Sequence, residues 1–83
     1  RMTDIDTRVI HLIAQLVPVK EQDIKPAQRL RDDLGMDSVS SMELLSMLAE
    51  DFELDVGIED VADVHTVAAT IDLVKVFLAK KAA

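Results

Sequence analysis

The chain contains no cysteine, no tryptophan and no tyrosine, and phenylalanine occurs only twice. Without cysteine, neither a disulfide framework nor a thiolate metal site can form, and a reducing compartment is allowed. Because aromatic rings are so scarce, a chain that is 49% hydrophobic must build its core from aliphatic side chains. Such a composition favours helices packed against helices over a β-sandwich. We therefore predict an all-α fold.

Glycine is almost as scarce, since Gly35 and Gly57 are the only two, and no glycine-rich phosphate-binding loop is present. No apolar run approaches the ~20 residues that a membrane-spanning helix needs. No signal peptide is recognisable, and we expect no membrane span and a cytoplasmic location. The 83 residues suffice for one modest core, so we predict a single domain over residues 1–83, too small for a deep catalytic cavity. Arg1 before Met2 is interpreted as a remnant of cloning or processing.

Basic residues are absent from the middle of the chain. Residues 32–72 contain twelve Asp or Glu and no Lys or Arg, and the net charge of the whole chain is −7. Nucleic-acid binding needs a basic patch, so this charge distribution argues against that function. It fits partners with basic docking surfaces, because opposite charges speed their encounter. A surface that is acidic merely for solvation is the alternative interpretation.

The apolar periodicity predicts a first helix over residues 4 to about 16, where Thr3 and Asp6 fit a capping box. A long connection over residues 17–36 follows, and a connection of this length within a compact domain normally signals function. Pro26 can open a single helical turn in it, through Ala27 and Gln28. The predicted apolar anchors of the connection are Val19, Ile24, Leu30 and Leu34.

The second helix is predicted over residues 38–52, a short third one over residues 58–62, and a last helix after Thr66, which fits an N-cap. The buried stripe of the last helix is predicted to contain Val67, Ile71, Val74 and Leu78. The predicted architecture is a four-helix bundle with three main helices, one short third helix and a long first loop.

The second helix carries more apolar surface than one core-facing stripe requires. Its predicted buried row contains Leu45, Leu48 and Phe52, with Met42 and Ala49 beside it. The apolar residues partly off that row are Val39, Leu44 and Met47. Such an excess indicates contact with a partner or a bound chain, which is favoured for Val39 and Met42. Burial of the helix on two sides is the alternative, above all for Leu44.

The start of the second helix is the most distinctive stretch of the sequence. Asp37 and Ser38 follow Gly35 and precede the apolar run, so one of the two side chains is expected to cap the helix. The same position places a serine hydroxyl where the helix dipole favours a negative group such as a phosphate. A simple cap is the alternative. No catalytic role is predicted, because no base is paired with Ser38 in the sequence and neither histidine belongs to a triad motif. His11 is predicted to be a surface residue, and no metal site is predicted.

Residues 34–39 read Leu-Gly-Met-Asp-Ser-Val, which resembles the Leu-Gly-x-Asp-Ser-Leu signature of acyl carrier proteins. Residues 42–44, Met-Glu-Leu, resemble the Val-Glu-Leu that follows it in that family. Residues 29–33, the position of Phe52, and residues 66–71 also fall at the family's spacing without a gap. The resemblance therefore covers nearly the whole chain.

The resemblance implies that Ser38 receives 4′-phosphopantetheine from coenzyme A through a separate phosphopantetheinyl transferase. The terminal thiol of the arm would hold acyl groups as thioesters, which explains how a chain without cysteine handles them. Asp37 would cap the helix and help to orient the serine or a metal bound to the transferase. The face recognised by partner enzymes would contain Val39, Met42, Glu43 and Met47. The chain would then be a non-catalytic, monomeric phosphoprotein that passes acyl intermediates between enzymes with basic docking surfaces.

Departures from the family pattern leave the pathway open between fatty-acid, polyketide and specialised lipid biosynthesis. Val39 replaces the usual leucine after the serine. Ser40 and Ser41 stand where fatty-acid carriers often have an acidic residue and a threonine. Asp37, in place of the glycine common in peptidyl carriers, argues against a nonribosomal peptide module. A D-alanyl or other aminoacyl carrier is an alternative, and an unmodified acidic helical adaptor is a second alternative from a different class.

Overall fold

The structure is a computed structural model that describes residues 2–83, so the interpretation of Arg1 lies outside the described residues. Its elements are α1 (Asp4–Ala14), a first 3-10 segment (Glu21–Asp23), α2 (Ser38–Asp51), a second 3-10 segment (Ile58–Val61) and α3 (Val67–Ala82). Residues 2–83 contain no β-strand, and none of the helices over that range is long and apolar enough to span a membrane. The predicted all-α bundle is confirmed, and its short third helix is the second 3-10 segment.

Each α-helix begins at a side-chain cap. The Asp6 N–H donates to Thr3 Oγ1 at 3.2 Å and the Thr3 N–H donates to Asp6 Oδ2 at 3.0 Å, which confirms the predicted capping box of α1. At the start of α3, the Ala69 N–H donates to Thr66 Oγ1 at 3.0 Å, as predicted. Side chains take up N–H groups that have no partner within the helix, so the caps fix where each helix starts.

The core is aliphatic and draws on all three α-helices and the long loop. The predicted buried row of Leu45, Leu48 and Phe52 is confirmed. Leu44 was placed partly off that row but is only 5% exposed, so the alternative of burial on a second side holds for it. Met42, which was placed beside the row and favoured for contact with a partner, is 46% exposed. The apolar residues of α2 surround most of the helix, so periodicity alone could not assign its buried face. The largest fully buried apolar side chains are Val9, Ile13, Ile24, Leu34, Leu48, Val67 and Val74.

The helical turn in the long connection lies at Glu21–Asp23, so the prediction of one opened by Pro26 was wrong. The chain forms a tight turn there instead, in which the Gln28 N–H donates to the Lys25 carbonyl at 3.1 Å. The carbonyls of Pro26 and Gln28 accept hydrogen bonds from the Ala68 and Val67 N–H groups, at 2.9 and 3.1 Å. These carbonyls are therefore not available to continue a helix.

Backbone hydrogen bonds join residues 26–30 to residues 65–68, and we call this contact the loop seam. Besides the two bonds to Pro26 and Gln28, the Leu30 N–H donates to the His65 carbonyl at 2.9 Å. The loop then returns toward α2, with the Met36 N–H donating to the Leu30 carbonyl at 2.9 Å. Gly35 has a φ of +80°, a conformation that glycine adopts without steric cost. The loop seam therefore places the segment before α2 against the start of α3.

Candidate functional site

Ser38 is the first residue of α2, and its side chain is exposed. The cap is Asp37, whose Oδ1 accepts the Ser40 N–H at 2.8 Å. The Ser40 hydroxyl completes a capping box by accepting the Asp37 N–H at 2.9 Å. Of the two residues that the sequence offered as caps, Asp37 holds this role. The Ser38 hydroxyl takes no part in the capping box.

The Asp37 carboxylate is electrostatically stabilised by the helix start. Hydrogen bonds from the Ser40 N–H and, second, from the Ser40 hydroxyl hold the pKa of Asp37 below its ordinary value of 3.8. The carboxylate is therefore ionised at neutral pH. It places a negative charge on the residue before Ser38 and takes up the Ser40 N–H, which would otherwise be free to attract an anion.

Around Ser38, an exposed face of α2 contains the four residues predicted to recognise partners. A shallow depression brings Ser38 together with Val39, Met42, Glu43, Ser46 and Met47. Val39 is 69% exposed and Met42 is 46% exposed, whereas Met47 is half-buried and also packs on the core. Exposed apolar side chains beside a carboxylate are typical of a protein-binding surface, since interface cores are apolar and their rims polar.

On the other side of Ser38, a cavity of about 490 Å³ lies between α2, the second 3-10 segment and α3. Its volume falls within the range of small-molecule sites. Apolar side chains from all three elements line it, among them Leu45, Leu48, Ile58, Val61 and Leu73. This cavity was not predicted from the sequence. The signal was the excess of apolar residues on α2, which was assigned to contact with a partner or a bound chain, with burial of the helix on two sides as the alternative.

The edge of the cavity is polar. Arg31, Ser41 and His65 line it, and all three also line a smaller depression beside it. Thr70 is 1% exposed and its hydroxyl donates to the Thr66 carbonyl at 2.9 Å, so this buried hydroxyl is satisfied. Arg31 and His65 were not predicted to be cavity residues. Arg31 directly follows the loop residues 26–30, and only the loop seam brings that segment against residues 65–68.

The described residues show no catalytic arrangement around Ser38. His11 is exposed on α1, as predicted, with its Nδ1 2.8 Å from Glu21 Oε1. His65 shares the cavity lining with Ser38, but no hydrogen bond joins the two among residues 2–83. Across the same range, no group of three or more His, Asp or Glu side chains could hold a metal ion. The site therefore offers an exposed hydroxyl, a partner-type surface and an adjoining apolar cavity.

The chain matches a known protein family. The sequence model described as the phosphopantetheine attachment site matches residues 7–74. The matched range runs from within α1 to within α3. It contains Ser38, the exposed face of α2 and every residue of the cavity lining.

Proposed function

The chain belongs to the phosphopantetheine attachment site family, and from this premise we propose that Ser38 is the residue that carries the arm. Members of the family carry a covalently attached 4′-phosphopantetheine group, so the protein is a phosphopantetheine-carrying carrier protein. Such carrier domains are generally non-catalytic and interact with enzymes. We further propose that residues 1–83 form a single carrier domain.

The observation that supports Ser38 is its exposed hydroxyl at the start of α2, outside the capping box that its neighbours form. In the proposed modification, Ser38 Oγ attacks the β-phosphorus of coenzyme A. The new Oγ–P bond forms as the bond to 3′,5′-ADP breaks, and the hydroxyl proton goes to a base on the transferase. The three serine hydroxyls at the start of α2 differ in their surroundings. Ser38 is exposed, Ser40 is hydrogen-bonded to Asp37, and Ser41 is half-buried.

Asp37 supports this modification in two ways. Its capping box fixes the first turn of α2, so the adjoining Ser38 is presented from a rigid helix end. Its lowered pKa keeps a negative charge next to the hydroxyl, where a metal bound to the transferase can approach. The arm, once attached, supplies a terminal thiol that holds acyl groups as thioesters, and no cysteine of the chain competes with it.

The cavity beside Ser38 favours an apolar acyl cargo. Its walls are mainly aliphatic. Burying the hydrocarbon chain of an attached acyl group there stabilises the acylated protein by about 0.8 kcal/mol for each CH₂ group. We therefore favour intermediates of fatty-acid, polyketide or specialised lipid biosynthesis. A D-alanyl group is small and charged, so it gains nothing from such walls.

The exposed face of α2 is the proposed docking surface for the transferase and for acyl-handling enzymes. Val39 and Met42 supply exposed apolar contact, and Glu43 supplies negative charge next to Ser38. No Lys or Arg lies between residues 32 and 72, so this part of the chain has no positive side chain that would repel a basic partner surface.

Mass spectrometry tests the proposal directly. The purified apo-protein is incubated with coenzyme A and a broad-specificity phosphopantetheinyl transferase, and the intact mass and the modified peptide are measured. We expect the addition of one phosphopantetheinyl group, on the peptide that contains Ser38. An unchanged mass, with a control carrier modified in the same reaction, would favour the unmodified adaptor instead.

The cargo is tested by loading the same protein with octanoyl, acetyl or D-alanyl groups and measuring the melting temperature of each form. We expect the octanoyl form to melt above the other two, because only its chain is long and apolar enough to fill the cavity. Equal melting temperatures for all three forms would contradict the proposed apolar cargo.

A further inference from the structure

Arg31 differs from the other basic residues in where its side chain lies. It is the only Lys or Arg among the residues that line the cavity beside Ser38. Within residues 2–83, no carboxylate lies within ion-pairing distance of its guanidinium group. Arg29 provides the contrast, because its Nε lies 3.2 Å from Asp32 Oδ2 and its side chain does not line this cavity. The cavity therefore has one cationic group that is not neutralised by a neighbour.

The backbone fixes Arg31 relative to the attachment site. Its carbonyl accepts the Gly35 N–H at 3.0 Å, and the carbonyl of the preceding Leu30 accepts the Met36 N–H at 2.9 Å. On its other side, the Leu30 N–H is bound to the His65 carbonyl in the loop seam. Arg31 is thus tied both to the segment that leads into Ser38 and to the start of α3.

A phosphodiester on Ser38 would carry one negative charge in surroundings that are already negative. Asp32 and Asp33 flank Arg31 in the sequence, and Asp37 is ionised and directly precedes Ser38. The N–H of Ser40, which would otherwise attract an anion at this helix start, already donates to Asp37. One of the N–H groups at this helix start is therefore already taken, and a nearby cation would help to neutralise the new charge.

We propose that Arg31 binds the phosphodiester that joins the phosphopantetheine arm to Ser38, and thereby holds the first part of the arm at the cavity edge. A guanidinium group matches this task, because it donates two parallel hydrogen bonds to phosphate oxygens and stays charged at any working pH. Arg31 is then a positioning residue for the carrier. This inference rests on the proposed attachment at Ser38.

Nuclear magnetic resonance of the arginine side chains tests the contact. The Nε–Hε signals of Arg31 and Arg29 are recorded in the apo-protein and in the holo-protein made with coenzyme A and the transferase. We expect the Arg31 signal to shift and its exchange with water to slow on conversion, whereas the Arg29 signal stays in place. A stationary Arg31 signal in a protein whose mass shows the added arm overturns this inference alone. A protein that accepts no arm overturns the proposed function instead.

Variants supply an independent measurement. The melting temperature of the holo form minus that of the apo form is compared for the wild type, Arg31→Gln, Arg31→Lys and the matched control Arg29→Gln. Because exposed ion pairs contribute little each, we expect this difference to fall by about 1–5 °C in Arg31→Gln, to recover in part in Arg31→Lys, and to be unchanged in Arg29→Gln. Taking the difference cancels any effect of a substitution on the fold itself. If the melting temperature of the holo form minus that of the apo form is the same in Arg31→Gln and Arg29→Gln, the proposal is overturned.

Discussion

The guanidinium group of Arg8 lies over the ring of Phe52, with 4.1 Å between its central carbon and the ring centroid. The same guanidinium group also binds Asp51, the residue before Phe52. Arg8 Nη2 donates to the Asp51 carbonyl at 3.1 Å and lies 3.0 Å from Asp51 Oδ2. Lys81 completes the arrangement from α3, with its Nζ 3.0 Å from the Glu53 carbonyl. The last carbonyls of a helix lack partners within it, so α1 and α3 together close the C-terminal end of α2.

Replacing Arg8 should therefore lower stability without affecting modification. Arg8→Ala is expected to cost about 1 kcal/mol, since the pair with Asp51 is half-exposed and the cation–π contact is modest. Urea denaturation measures the cost. Lys20→Ala removes the same charge from an exposed position and serves as the control. Equal midpoints for the two variants would contradict a specific role for Arg8.

Ser38→Ala should abolish phosphopantetheinylation and leave the fold intact, because Asp37 and Ser40 form the capping box without it. Intact mass after incubation with coenzyme A and transferase gives the first readout, and circular dichroism gives the second. Ser46→Ala, on the same exposed face of α2, should be modified normally. Transfer to Ser40 or Ser41 at the wild-type stoichiometry in Ser38→Ala would refute the assignment of Ser38.

Glu43→Lys should slow association with the transferase and flatten the dependence of the rate on salt. Glu43 lies on the exposed face of α2 beside Ser38, where its charge can attract a basic surface. Asp23→Lys makes the same charge change in the first 3-10 segment and should alter the rate much less. Stopped-flow binding at several NaCl concentrations makes the comparison. If both variants lose rate equally, net charge rather than the Glu43 site governs association.

Glu53→Gly should stabilise the protein. Glu53 follows the C-cap Phe52 with a φ of 53°, a left-handed conformation that costs a non-glycine residue about 1–2 kcal/mol. The bonds from Glu53 N–H to the Glu50 carbonyl and from Leu54 N–H to the Ala49 carbonyl form the helix-ending motif that usually has glycine at this position. Part of the gain is offset by the greater freedom of glycine in the unfolded chain, so the net increase should stay below about 1 kcal/mol.

Thermal melts should therefore place Glu53→Gly above both the wild type and Glu53→Ala. The alanine variant removes the same carboxylate but keeps the strained conformation, so it separates backbone relief from charge relief. A melting temperature for Glu53→Ala that equals that of Glu53→Gly would assign the effect to charge alone.

Asp37→Asn should make stability less dependent on pH in the acid range. The folded-state pKa of Asp37 is lowered by the Ser40 N–H and hydroxyl, so the ionised cap stabilises the fold above the ordinary value of 3.8. That contribution is lost as the pH falls through the lowered pKa. Asn caps helices about as well as Asp but does not titrate, so the stability gap between wild type and variant should shrink as the pH falls below about 4.

Denaturant unfolding at a series of pH values from neutral to acid measures that gap. Asp63→Asn removes a carboxylate from the exposed surface outside the helices and provides the control. A gap that stays constant with pH for Asp37→Asn would show that the capping box does not depend on the charge of Asp37.

Local signals in the sequence predicted the helix starts well. The caps Thr3, Asp37 and Thr66 act on N–H groups three residues later, so a short stretch of sequence contains all the necessary groups. The burial of Leu44 could not be decided in the same way, because α2 is apolar around most of its circumference. Which face of such a helix becomes buried depends on where α1 and α3 pack.

Long-range backbone contacts were the second feature that the sequence did not reveal. The hydrogen bond from Leu30 N–H to the His65 carbonyl involves groups that every residue has, so no side-chain pattern marks it. The same contact brings Arg31 to the cavity edge, which explains why the motif around Ser38 was recognisable in the sequence while its surroundings were not.

The loop seam also has a consequence for the order in which the chain folds. It joins groups far apart in the sequence, and such pairs form only after the entropy of closing the intervening loop has been lost. Residues 31–64, which include α2 and the second 3-10 segment, lie between the two sides of the loop seam. The capped helices, whose contacts are local, can form before that step. We therefore expect completion of the cavity wall to be a late and cooperative event in folding, in which ordering of the long loop and docking of α3 occur together.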